Sequence, residues 1–232
     1  MTARFGDGVR VHLNVLDITE AQFRRIDRAR HEVVELMPYL QDEGIFVSLN
    51  HVASRVNGEV TAAHLAWLLP WLDGIEVRNG SRLSMQNRAA VALAHAASCI
   101  PCAGSDAHTM RGIGRTWIEA AGATCKATFM QELRAGHVQV GGQHGHYFTM
   151  ASDIVRFAAN FYRERLTLLA RHPLDWKKHA VCAAAIIGLP LVLVPLVLAH
   201  GHFRAEERFT ESLLLDLVAR PPLQPAPVAE AA

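Results

Sequence analysis

Short apolar segments that end in polar residues alternate with longer segments of helical periodicity, and this alternation limits the fold more than any other feature of the chain. The short segments are Val9–Asp17, Ile45–His51, Gly74–Gly80 and Cys99–Asp106. The segments between them are long enough to form helices that cross from one strand to the next, as parallel strands require. The sequence therefore predicts an α/β fold with about four parallel strands.

The first intervening segment shows how the helices are predicted. Thr19 is a good N-cap residue, apolar residues such as Phe23 and Ile26 then recur at helical spacing, and Gly44 ends the pattern. This segment predicts one long helix between the first two strands.

Composition excludes several classes of protein. The chain has 232 residues, enough for one sizeable domain, and its 23 Lys and Arg balance its 22 Asp and Glu, so it shows no nucleic-acid footprint. Four cysteines are too few for a secreted disulfide framework. Cys99 and Cys102 form a Cys-x-x-Cys pair, but no second pair follows at zinc-ligand spacing, which favours two small buried residues over a redox or zinc site.

Polar residues at the ends of the predicted strands indicate where the chemistry lies. His51 ends the second strand, and Asp106 and His108 follow the fourth. Loops at the carboxyl ends of parallel strands point into one crevice, and an aspartate oxygen with imidazole nitrogens suits a divalent metal ion. Glu76 and Asn79, in "GIEVRNG", are interpreted as a polar strand end outside this site.

The order and spacing of four short motifs resemble those of the PHP family, the polymerase and histidinol phosphatase domains. They are "VHLNVL", "SLNH", "GIEVRNG" and "GSDAH", the last followed by "GIGRTWIEA", and the resemblance covers roughly Thr2–Arg165. PHP domains are distorted barrels of parallel strands that hold two or three metal ions and hydrolyse phosphate esters. The resemblance therefore implies a partial, PHP-like β/α barrel and a metal-dependent phosphoesterase acting on a phosphorylated small molecule or nucleotide.

The resemblance also implies the metal ligands, which fall on His12, His51, Asp106 and His108. Asp106 would supply oxygen and the histidines nitrogen to manganese, zinc or iron ions, which would activate a water for hydrolysis.

Several features of the PHP pattern have no counterpart here. The early His-x-His pair, the next Asp and His, and a Glu before His12 are missing from the sequence. We therefore expect this chain to be a poor catalyst. Either Met1 is an internal start within a longer reading frame, or the gene is a truncated relative. The missing strands would also leave an unpaired sheet edge, which promotes self-association. The alternative is a non-catalytic binding or assembly module derived from a PHP domain.

The carboxy-terminal part differs in character from residues 1–150, which hold the barrel motifs. Residues 151–178 predict an amphipathic helical connector, residues 179–202 a transmembrane helix around the uncharged run Val181–Ala199, and residues 203–232 a largely disordered tail. Basic residues before the run place the barrel in the cytoplasm of a membrane-anchored protein. The alternative is a buried helix in a cytoplasmic protein.

Overall fold

The computed structural model describes residues 1–54, 60–171, 176–188 and 193–218. Within these ranges the strands are β1 (Thr2–Arg4), β2 (Arg10–Leu16), β3 (Phe46–Leu49), β4 (Gly74–Asn79), β5 (Ile100–Gly104), β6 (Thr116–Glu119) and β7 (Gln139–Gly142). The helices are α1 (Glu20–Ala29), α2 (Val33–Asp42), α3 (Ala62–Leu68), α4 (Ser84–Ala96), α5 (Lys126–Arg134), α6 (Tyr147–Arg171), α7 (Trp176–Ile187) and α8 (Leu193–Val218).

Five strands form one mixed sheet in the order β1-β2-β3-β4-β5. The pairs β3–β4 and β4–β5 are parallel, whereas β1–β2 and β2–β3 are antiparallel. Strands β6 and β7 form a separate antiparallel pair. The expected partial barrel of about four parallel strands is therefore wrong, although all four expected strands are present.

The direction of β2 follows from the helices that come after it. The segment predicted as one helix is two: α1 ends at Ala29 and α2 begins at Val33. Two helices that contact each other carry the chain out and back, so that β3 begins beside the end of β2, with Leu16 opposite Phe46. A single crossing helix would have started β3 at the other edge, in the parallel direction.

The core lies between the sheet and helices α2, α3 and α4. Leu13, Val47, Leu49 and Ile75 are buried on the strands, against helical residues that include Leu36, Leu40, Leu65 and Leu93. Burial of each such side chain stabilises the fold by about 1.5–3 kcal/mol. The strand ends that carry the site are thereby held on a rigid support.

The expected transmembrane helix over Val181–Ala199 is wrong. The run is divided between α7, which ends at Ile187, and α8, which begins at Leu193, while residues 189–192 lie outside the described residues. No helix in the described ranges is both long and apolar enough to cross a membrane.

Helix α8 continues to Val218, through much of the segment predicted as a tail, and packs against α3 and α4 with Leu213 in the core. Residues 219–232 lie outside the described ranges.

Candidate functional site at the carboxyl edge of the sheet

Two histidines from neighbouring strands meet at the edge of the sheet. His12 lies in β2 and His51 directly follows Asn50 at the end of β3, and His12 Nδ1 lies 3.0 Å from His51 Nε2. At this distance one ring donates a hydrogen bond and the other accepts it. A cavity of about 10 Å³ beside the pair has room for a single water.

The antiparallel direction of β2 brings His12 to this place. Leu13 lies opposite Leu49, and the backbone N–H of Asn50 donates to the carbonyl of His12 at 2.9 Å. The ladder therefore sets the middle of β2 against the carboxyl end of β3. The ladder thus brings His12 beside His51.

A buried carboxylate on β4 holds this edge together. Glu76 is 4% exposed, and its Oε2 accepts hydrogen bonds from the backbone N–H of His51 (2.8 Å) and from Nδ2 of Asn79 (2.9 Å). A Cβ at position 104 would collide with the Glu76 carboxylate, so β5 needs a glycine there. Glu76 thus links the ends of β3 and β4 by hydrogen bonds and packs closely against β5.

Burial dominates the protonation of this group. Desolvation raises the pKa of Glu76 to about 7, against the opposing effect of the hydrogen bonds from Asn79 and His51. A carboxyl group with this pKa is partly protonated near neutral pH, in contrast to an exposed glutamate.

Asp106 reaches the same region from the loop after β5. Its Oδ2 lies 3.4 Å from an Nη of Arg82, and both side chains are largely buried. Nevertheless, within the described part of the chain, Asp106 Oδ2 and Arg82 Nε have no hydrogen-bond partner although both atoms are buried. Because unsatisfied buried polar atoms are costly, this pair is suited to receive a ligand.

The backbone at two of these positions is unusual. His51 has φ +33° and Asp106 has φ +46°, in the left-handed region that residues other than glycine rarely adopt. The Asp106 carbonyl is held in this conformation by hydrogen bonds from Ser81 Oγ (2.8 Å) and from the His108 ring (2.9 Å). Such strain clusters at functional sites, where the surrounding structure maintains it.

Both histidines of the pair are kept neutral. Burial lowers the pKa of His51 to about 4, and the charge of Arg82 acts in the same direction, while Asp106 opposes it. Burial also lowers the pKa of His12, to which the positively charged amino terminus contributes. Near neutral pH both rings are therefore neutral, and the pair has one unprotonated nitrogen besides the one that accepts their mutual hydrogen bond.

His108 faces away from this group. Its ring is exposed, its Nδ1–H donates to the Asp106 carbonyl, and it lines a separate cleft between its own loop and α6. Of the four predicted metal ligands, the structure places His12, His51 and Asp106 in one neighbourhood and His108 beside a different one. The assignment of all four as ligands stays a prediction.

The residues fit a divalent metal ion in chemistry but not as a closed set of ligands. Neutral imidazole and a buried carboxylate oxygen are suitable donor types for manganese, iron or zinc, although this oxygen already lies 3.4 Å from the Arg82 guanidinium. However, the described residues contain no group of three or more His, Cys, Asp or Glu side chains arranged to hold an ion. A catalytic zinc ion typically takes about three protein ligands.

The fold and the strand-end site define the class: an α/β domain with a polar site at the carboxyl edge of its parallel strands. Residues 84–138 match the family model described as PHP-associated, which confirms the resemblance to a carboxy-terminal region of PHP proteins over this part of the chain. The match includes Asp106 and His108 but begins after His12, His51 and Arg82. No curated protein matches the chain. No solved structure matches it either.

Sequence reasoning missed two members of the site. The sequence places Glu76 at a polar strand end outside the site, although a carboxylate between Ile75 and Val77 in an apolar strand is itself a signal of a buried polar group. Arg82 carries no such signal, because its position depends on the loop after β4.

The Cys-x-x-Cys pair behaves as predicted for small buried residues. Cys99 and Cys102 are free and buried, and burial raises the pKa of their thiols to about 11 and about 12. Thiols with such pKa values are poor nucleophiles and poor metal ligands near neutral pH.

Proposed function

We propose that the chain is a PHP-type phosphoesterase domain whose site combines His12, His51, Asp106 and Arg82. The observation that carries this proposal is the neutral histidine pair beside a buried Asp106–Arg82 pair with unsatisfied polar atoms. The match of residues 84–138 to a PHP-associated family supports it. The substrate class that this chemistry favours is a phosphorylated small molecule or nucleotide.

Arg82 is suited to recognise the phosphoryl group. A guanidinium presents several N–H donors in one plane and binds phosphate oxygens in pairs, and Arg82 Nε is buried with no partner among the described residues. Asp106 lies beside the guanidinium and orients it. A phosphate that enters here would satisfy the donor that the folded chain leaves open.

His12 and His51 form a neutral pair beside this ion pair, with one unprotonated nitrogen besides the one in their mutual hydrogen bond. Their lowered pKa values keep them neutral, and the hydrogen bond from the His51 backbone to Glu76 fixes the position of that residue. A divalent metal ion would be held here by the histidine pair, and when bound it would supply an activated water; with Asp106 these residues do not form a closed set of three ligands in the described ranges.

A second candidate function is phosphate-ester binding without turnover. One observation favours it: in the described ranges, no three or more His, Cys, Asp or Glu side chains are arranged to hold a metal ion. Under this alternative the same residues recognise the ligand, but hydrolysis does not follow.

The two functions are distinguished by hydrolysis of p-nitrophenyl phosphate with and without manganese or zinc. We expect metal-dependent turnover that falls about 100-fold or more in His51→Ala and in Asp106→Asn. We also expect Arg82→Gln to raise KM about tenfold, because it removes charge-assisted hydrogen bonds.

Three exposed residues serve as matched controls: His95→Ala, Asp42→Asn and Arg88→Gln. Turnover unchanged in the site variants contradicts the proposed site. Phosphate binding that depends on Arg82, without any metal-dependent turnover, selects the binding function instead.

A further inference from the structure

A second concave site lies next to the first, on the far side of His108. This cleft has a volume of about 660 Å³ and lies between the loop 107–113 and one face of α6. We call it the cationic cleft. Its lining includes His108, Met110, Arg111, Ile113, Arg156 and Asn160. Its volume falls within the range of small-molecule sites, about 300–1,000 Å³.

The cleft carries uncompensated positive charge. Arg111 and Arg156 approach it from opposite walls, and no lining residue is acidic. Neither guanidinium has an ion-pair partner in the part of the chain that the structure describes. An anion that binds between them would form charge-assisted, bidentate hydrogen bonds.

The nearest carboxylate is already engaged and joins the two walls. Asp153, one helical turn before Arg156, accepts a hydrogen bond from Thr109 Oγ1 at 2.9 Å and lies 3.9 Å from an Nη of Arg115. Both carboxylate oxygens of Asp153 are therefore engaged, one with Thr109 of the loop and the other with Arg115. This contact fixes the loop against α6 and leaves the charges of the cleft for a ligand.

The remaining lining defines what kind of anion fits. Met110 is 84% exposed and Ile113 is 64% exposed, so two large apolar side chains stand open at this surface. Asn160 adds an amide group that can donate to an anion, and His108 adds a ring whose Nδ1 is engaged with the Asp106 carbonyl. A small organic anion with a short carbon body matches these groups better than an inorganic ion does.

His108 connects the cleft to the strand-end site. It follows Asp106 by two residues, so their Cα atoms lie within about 7 Å of each other. The two sites are therefore neighbours along one loop.

We propose that the cationic cleft binds a second anionic group of an organic phosphate, one that carries a carboxylate or another acidic group besides its phosphate. The placement of the first phosphate rests on the function proposed above, whereas the cleft itself does not. Arg111 and Arg156 bind the second anionic group, and Met110 and Ile113 contact the carbon atoms between the two groups.

The test uses two ligands that differ in the second anionic group. Titration calorimetry of the full chain compares 3-phosphoglycerate with glycerol 3-phosphate at low salt. We expect 3-phosphoglycerate to bind at least tenfold more tightly, and its advantage to shrink as salt is raised. Equal affinity for the two ligands, or no binding of either, would overturn the proposal.

Variants locate the preference. Arg111→Gln and Arg156→Gln should each reduce the affinity for 3-phosphoglycerate to that for glycerol 3-phosphate without changing the latter. Arg163→Gln, an exposed arginine farther along α6 and outside the cleft lining, is the matched control and should keep the preference. Circular dichroism checks that each variant is folded, and a preference that persists in both cleft variants would overturn the proposal.

Arg82→Gln separates this inference from the proposed function. If the preference depends on Arg156 while Arg82→Gln leaves both affinities unchanged, the cleft stands and the Arg82 phosphate site fails. If Arg82→Gln weakens both ligands but no preference exists, the phosphate site stands and the cleft fails.

Discussion

Glu76 shows at the scale of a single residue how the site is held. Its carboxylate is buried between the strand ends, where it accepts hydrogen bonds from His51 and Asn79, and burial raises its pKa to about 7. The proton is therefore bound more tightly in the folded state than in the unfolded chain, where the pKa is 4.5. Between these two pKa values the folded state holds more protons, so Glu76 lowers the stability as pH rises through this window.

We predict that Glu76→Gln gains stability relative to the unchanged protein as pH rises from about 5 to about 8. Glutamine resembles the protonated acid and escapes the cost of a buried charge, so the difference should grow by on the order of 1 to 3 kcal/mol. Urea unfolding at several pH values, with a chelator present, measures it. Glu119→Gln on the exposed face of β6 is the control. A difference that does not change with pH would contradict the raised pKa of Glu76.

Gly104 is the partner of Glu76 on β5. We predict that Gly104→Ala costs about 1–3 kcal/mol, because the added Cβ meets the Glu76 carboxylate and the packed edge must shift. Thermal or urea unfolding gives the cost. In a Glu76→Ala background the same substitution should cost much less, since the colliding group is gone. Equal costs in the two backgrounds would show that the contact is not the cause.

Individual site residues differ in how far the sequence could predict them. His51 and Asp106 follow apolar strand segments, so their place at the strand ends is readable from the chain itself. Arg82 and the direction of His108 are not readable in this way. They depend on tertiary contacts, among them the hydrogen bonds to the Asp106 carbonyl and the positive φ of that residue.

At the scale of secondary-structure elements, the pair α1–α2 decides the topology. The periodicity of Thr19–Gly44 correctly indicated helix but did not reveal the break between Ala29 and Val33. That break reverses the direction of β2 relative to β3 and so turns a parallel sheet into a mixed one. His12 nevertheless lies beside the end of β3 in the antiparallel pairing, so it belongs to the site although the predicted parallel direction is wrong.

Helix α8 is attached to the core through a buried polar contact with α4. Gln86 Nε2 donates to Glu206 Oε2 at 2.7 Å and to the carbonyl of Ala53 at 2.8 Å, and Gln86 and Glu206 are 5% and 3% exposed. Gln86 therefore bridges the segment after His51, through the Ala53 carbonyl, and α8, through Glu206. This contact joins α4 to a helical residue 120 positions later in the chain.

We predict that Gln86→Ala destabilises the protein by roughly 1–3 kcal/mol, because buried acceptors on Ala53 and Glu206 lose a donor. Urea unfolding measures the change, and hydrogen exchange should show faster opening of α8. Gln131→Ala on the exposed face of α5 should have little effect. Unchanged protection of α8 in Gln86→Ala would contradict this role.

At the scale of the whole molecule, a mixed sheet supports two adjoining polar sites. The strand-end site is built on β2, β3, β4 and β5, and the cationic cleft is formed where α6 meets the loop after β5. His108 and Asp106 lie in that loop and connect the two. We therefore infer a phosphate-binding centre with a neighbouring region for the rest of the ligand.

The central claim is that His12, His51, Asp106 and Arg82 form one phosphate-binding site, and histidine-selective ¹⁵N NMR with added inorganic phosphate tests it most directly. We expect the His51 ring to stay neutral down to about pH 4, as its lowered pKa requires. We expect the His12 and His51 ring signals to shift with the same dissociation constant, and both shifts to disappear in Arg82→Gln but not in Arg88→Gln. A His51 ring that titrates near its ordinary pKa, or signals that phosphate leaves unmoved, would contradict the claim.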